Sequence, residues 1–183
     1  MSPPRCRLAS RGVNQEAMNE REYGPPMAES VSVTREIAAP AETLWAMVSD
    51  VTRMGEWSPE NEGGAWLDPA TAAQPGARFR GKNRLGKHKW STTATVLEAE
   101  PGVRFSFHIS SGPVKVADWI YDFAPTDTGC RVTETWVDRR PGWFKPLGHL
   151  ATGVGDRAAH NRSGMEQTLA GLAAAAEQSS PAS

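Results

Sequence analysis

Glu134 is the leading candidate for chemistry in this chain of 183 residues. It alternates with Val132 and Trp136, so in a β-strand the three side chains share one face. A carboxyl group set among apolar neighbours loses hydration and its pKa rises, which suits an acid or base working near neutral pH. The same residue also fits the mouth of a cavity, paired with an arginine or with water, and the sequence leaves both readings open. Asn83 alternates with Phe79 and Gly81 and is the second polar candidate. Its amide could hydrogen-bond a ligand carbonyl, pair with Glu134, or serve structure alone. Arg80 has the opposite parity and is directed to solvent.

Seven tryptophans are many for this length, and an aromatic set surrounds these polar groups. Trp57, Trp66, Trp90, Trp119, Tyr121 and Trp136 either build the core or line a pocket, since small-molecule pockets are mostly apolar with a few placed polar groups. Phe107 joins them from a strand face shared with Phe105 and Ile109, and Met165 and Leu169 from the last helix.

Other chemistries find little support. His88, His108, His149 and His160 are scattered, without ligand spacing or a local carboxylate partner, so no metal site is expected. No Gly-x-Ser-x-Gly elbow, phosphate loop or dinucleotide fingerprint occurs, and no cofactor is expected. The basic stretch Gly81 to Lys89 reads as a solvated hairpin, or as a lid or contact for an anionic ligand head. Cys6 and Cys130 read as two free thiols in a reducing compartment. Twenty basic residues nearly balance twenty-one acidic ones, for a formal charge of −1, so nothing pulls the chain toward nucleic acid or an anionic membrane. No apolar run approaches the ~20 residues that span a bilayer, and the N-terminal arginines precede no apolar signal core. These features predict a cytoplasmic protein with no stable membrane insertion, monomeric or homodimeric.

The elements that would hold the candidates in place follow from periodicity. Val31 to Ala38 reads as a strand. Pro40 then opens a helix to about Asp50, with Leu44, Met47 and Val48 at helical spacing and Trp45 widening the apolar face. A second short helix is expected within Thr52 to Trp57. Strands follow at Gly63–Leu67, Ala77–Arg84, Lys89–Ala99, Arg104–Ser110, Val114–Ala124 and Arg131–Asp138, separated by Gly, Pro and Asp turn residues that favour antiparallel neighbours. Residues 141–148 read as a turn or short lead-in helix. From about Gly155 to Glu177 one helix carries Met165, Leu169, Leu172 and Ala176 on a single stripe that would cover the dry face of the sheet. Residues 1–26 are polar and read as a disordered N-terminal extension, with Met27 or Met18 as the natural start. The domain is expected over residues 27–177, and residues 178–183 as a disordered tail.

This order, with the segments Ile37 to Trp45, Val48 to Pro59 and Tyr121 to Glu134, resembles the START-like (SRPBCC) superfamily of lipid-transfer domains, plant allergens and polyketide cyclases. The likeness is greatest to the polyketide cyclase/dehydrase type. The resemblance implies an α+β helix-grip fold: a seven-stranded antiparallel curved sheet around a long C-terminal helix, two short helices after strand one, and a cavity between sheet and helix. It also implies a hydrophobic small-molecule ligand, lipid or polyketide-like. A polyketide cyclase, aromatase or dehydratase using a cavity carboxylate is the alternative. A partner-binding module acting through its outer surface is a third reading with little support.

Overall fold

The computed structural model describes residues 28–179. Its strands are β1 (Ser30–Ile37), β2 (Asn61–Leu67), β3 (Arg78–Leu85), β4 (His88–Glu100), β5 (Arg104–Ser111), β6 (Val114–Thr126) and β7 (Gly129–Asp138). They form one sheet in the order β1-β7-β6-β5-β4-β3-β2, with every neighbouring pair antiparallel. Irregularities in register at Asn61/Gly64, Val96/Glu98 and Ile109/Ser110 bend the strands, as bulges do, and help the sheet curve. The architecture is the α+β helix-grip.

Because β1 and β2 lie at opposite edges, the chain must cross the open side of the sheet between them. Helix α1 (Ala41–Ser49) makes that crossing, with Leu44, Met47 and Val48 buried. Pro40 is the residue just before the helix, in extended conformation, and Glu42 places an acid in the positively polarised first turn. The second short helix is a single 3-10 turn, Met54–Glu56.

After β7 the chain forms a 3-10 turn at Gly142–Phe144, helix α2 (Lys145–Thr152) and helix α3 (Arg157–Ser179). The lead-in segment is therefore longer than residues 141–148, and His149 sits within α2. Gly153 ends α2 with φ +74°, and its N–H bonds the His149 carbonyl at 2.7 Å, a left-handed cap that glycine adopts without Cβ strain. The Asp156 carboxylate accepts the Ala159 N–H at 3.0 Å and caps the start of α3. Alanines at 158, 159, 170 and 173–176 favour the helix intrinsically. It continues through Gln178, which was expected in the tail; the predicted extension over residues 1–26, Met27 and Cys6 lie outside the described residues, as do residues 180–183.

The core lies between the concave face and the helices. Leu44, Val48, Phe105, Val132, Leu169, Leu172 and Ala176 form its tightest part. A second cluster of Val31, Ala117, Trp136 and Met165 lies toward the other end of the grip. Cys130 is a buried free thiol.

Candidate functional site

Sheet register decides which side chains meet. Phe105, Tyr121 and Glu134 lie opposite one another across β5, β6 and β7, and Phe107, Trp119 and Trp136 form the adjacent row. On β1, Val33 and Val31 close the two rows beyond Glu134 and Trp136. Each row stands on the concave face, so a carboxyl group and a phenol are set into an aromatic wall.

The sheet does not close fully against α3. A cavity of about 430 Å³ remains between β3–β7, the N-terminal half of α3, helix α2 and the Ser58–Asn61 segment. Of the predicted site residues, Asn83, Trp90, Phe107, Trp119, Tyr121, Glu134, Trp136 and Met165 line it. Three do not. Trp57 is buried against α3, where its backbone meets Gly171. Trp66 packs edge-on against Phe79 with ring centroids 5.5 Å apart. Leu169 is fully enclosed in the main core. Arg80 is exposed, as its parity indicates. The Asn83 amide donates to Thr92 Oγ1 at 3.4 Å and is not the partner of Glu134.

Glu134 is 2% exposed, so it is an interior group rather than one at a mouth. Its protein partner is not an arginine: the Tyr121 hydroxyl donates to Oε1 at 2.7 Å. Oε2 is buried with no hydrogen-bond partner. Burial raises the Glu134 pKa to about 8, and the Tyr121 bond offsets only part of that rise. The carboxyl group is therefore mostly protonated at neutral pH. With Oε1 accepting from Tyr121, the proton belongs on Oε2, a donor left for a guest. Burial, and then the neighbouring carboxyl, push the Tyr121 phenol well above its ordinary value.

At the α2 end the lining turns polar. Arg157, His160, Asn161, Gly164, Met165 and Thr168 fall at helical spacing on one stripe of α3 and all line the cavity. His160 Nε2 bonds Glu60 Oε1, and Arg157 reaches Thr152 Oγ1 at 2.7 Å and Glu60 Oε2 at 3.7 Å. Arg140 also lines the cavity, bonded through two nitrogens to Asp138. The histidines have no partner close along the chain, but the fold supplies distant ones: His160 meets Glu60, and His108 pairs with Asp118 across β5 and β6. Burial works against the Asp118 carboxylate, but bonds from His108 and Arg139 together hold its pKa below the ordinary range. Glu60 is hidden in the sequence because its partners His160 and Arg157 lie about 100 residues away along the chain. The stripe on α3 carried the signal that could have found Arg157.

Among the described residues no group of three or more His, Cys, Asp or Glu could hold a metal ion, and no helix is long and apolar enough to cross a membrane.

A curved sheet gripping a helix over an aromatic-lined cavity defines the helix-grip class. The chain belongs to the polyketide cyclase / dehydrase and lipid transport family, whose model matches residues 28–177. It is similar to the solution structure of the polyketide cyclase-like protein Cgl2372 from Corynebacterium glutamicum, at 30% identity and TM-score 0.53, covering 83% of this chain and 93% of that one. It shares its fold with protein CV1439 from Chromobacterium violaceum, at 18% identity and TM-score 0.61, covering 81% and 96% of the two chains. Protein NE0264 from Nitrosomonas europaea is a further structural relative, at 18% identity and TM-score 0.59, covering 81% and 94%. No curated protein sequence matches the chain.

Proposed function

We propose that this protein binds a hydrophobic small molecule, lipid or polyketide-like, in the cavity between sheet and α3. The observation that carries the reading is a cavity of about 430 Å³, aromatic at one end, where the buried Glu134 Oε2 has no protein hydrogen-bond partner. Apolar lining supplies affinity, and a few placed polar groups orient the ligand. A buried donor without a partner costs ~1–3 kcal/mol, which a ligand oxygen would recover. Asn83, Trp90, Phe107, Trp119, Tyr121, Trp136 and Met165 are the proposed contacts. Trp57, Trp66 and Leu169 support them from the core.

Titration with an uncharged long-chain ketone such as dodecan-2-one, followed by quenching of tryptophan fluorescence, tests this reading. Saturable one-to-one quenching is expected. Folded protein with no saturable signal would overturn it.

A second reading is favoured by the Glu134 pKa of about 8, close to a working pH. An acid that exchanges its proton near neutrality, set beside a tyrosine, suits the cyclisation, aromatisation or dehydration of a ketide held in a shaped cavity. Glu134→Gln should then abolish turnover of a poly-β-keto substrate and leave its binding within a few-fold. Unchanged turnover would remove Glu134 from the mechanism.

A further inference from the structure

The two ends of the cavity differ in chemistry. The Glu134 end is aromatic and neutral. The α2 end presents two guanidinium groups, Arg140 and Arg157, one carboxylate, Glu60, and the His160 imidazole. Arg140 is already held by Asp138, which also receives Lys145 Nζ at 3.3 Å. Arg157 is not matched in this way. Its side chain is 16% exposed, yet its one close hydrogen bond is to a neutral hydroxyl, and its carboxylate neighbour stands 3.7 Å off and is shared with His160. Burial pushes its pKa down; Glu60 and Asp138 draw it up, and Arg140 lowers it further. A half-buried cation with another cation nearby and most of its donors without a protein partner is a place for an oxyanion.

Resting on the ligand-binding reading, we infer that Arg157 is the head-group subsite of the cavity, and that the ligand is an amphiphile. A carboxylate sits on the Arg157 fork, and the apolar body runs along α3 toward Tyr121 and Glu134. A single carboxylate fits better than a doubly charged phosphate, because Arg140 is committed to Asp138 and Glu60 lies beside the fork. From Arg157 to Thr168 the helix rises by eleven residue steps, about 16 Å, which suits a medium-length chain.

The test compares three twelve-carbon probes below their micelle-forming concentrations: dodecanoate, its methyl ester and dodecyl phosphate. Dodecanoate should bind at least tenfold tighter than the ester. Arg157→Gln should remove that difference while leaving ester affinity within about twofold; Arg157→Lys should retain part of it. Glu60→Gln, which removes the competing carboxylate, should tighten dodecanoate binding several-fold, a gain that misfolding cannot mimic. Ester and acid binding equally to the wild-type protein would overturn the head-group subsite and leave the cavity reading intact. Dodecyl phosphate binding tenfold tighter than dodecanoate would overturn the choice of carboxylate. Binding of none of the probes would remove the cavity reading and this inference together.

Discussion

Tyr121 and Glu134 face each other in register on β6 and β7, and the phenol donates a 2.7 Å hydrogen bond to the carboxyl group. This pair places a proton-bearing acid in the wall of a mostly apolar cavity. Its consequences for stability and binding have definite signs.

Glu134 titrates near 8 in the folded protein against an ordinary value of 4.5. Between those values the unfolded chain gives up the proton and the folded protein keeps it. Stability therefore falls as pH rises through this window, by up to ~1.4 kcal/mol per pH unit, and levels off above 8. Glu134→Gln removes this contribution. Urea denaturation should show the variant several kcal/mol more stable than wild type at pH 8 and little different at pH 4. Parallel pH profiles for the two proteins would contradict the assignment.

Tyr121→Phe leaves both carboxyl oxygens of Glu134 without a protein partner. The variant should lose about 1–3 kcal/mol of stability. Its Glu134 should titrate still higher than in wild type, because the lost bond was the one lowering the value. A carboxyl titration followed by NMR reads the shift.

Trp90 and Leu169 separate lining from core. Trp90 is half-buried on the cavity wall, whereas Leu169 is fully enclosed. Leu169→Ala should cost ~2–5 kcal/mol in denaturant unfolding while leaving ketone affinity within a few-fold. Trp90→Ala should do the reverse, weakening binding about tenfold with little loss of stability.

Two glycines of α3 should respond with opposite signs. A Cβ at Gly171 would lie 2.9 Å from the Trp57 carbonyl oxygen, so Gly171→Ala forces helix and loop apart at a cost of ~1–3 kcal/mol. A Cβ at Gly164 meets nothing within 4 Å, and Gly164→Ala should stabilise the helix by up to ~1 kcal/mol. Thermal melting of the two variants reads both signs.

Much of this fold was legible because several of its strands alternate clearly, β7 above all. Val132, Glu134 and Trp136 share a face in the structure as their parity requires, and Leu44, Met47 and Val48 bury the side of α1 that their spacing marks. Parity gives a face but not a position along it. Trp66 stacks on Phe79 just outside the cavity, and Trp57 is taken up by the close approach of Gly171. The partner of Glu134 depends on the pairing register of β6 and β7, which no local pattern in the sequence fixes. His160 meets Glu60 across 100 residues, beyond the reach of any local spacing rule. The extent of α2 was hidden by Pro146 and Gly148, which read as turn residues although Pro146 occupies the tolerated first turn.

A protonated Glu134 would offer its second carboxyl oxygen to a guest in the cavity. Carbon-detected NMR titration of the glutamate carboxyl groups, with and without saturating dodecan-2-one, tests it most directly. One resonance with a midpoint near pH 8 is expected, absent in Glu134→Gln, that moves higher when the ketone binds because only the neutral acid can donate to it. Glutamates that all titrate below pH 6, or a high midpoint that saturating ketone leaves unmoved, would contradict it.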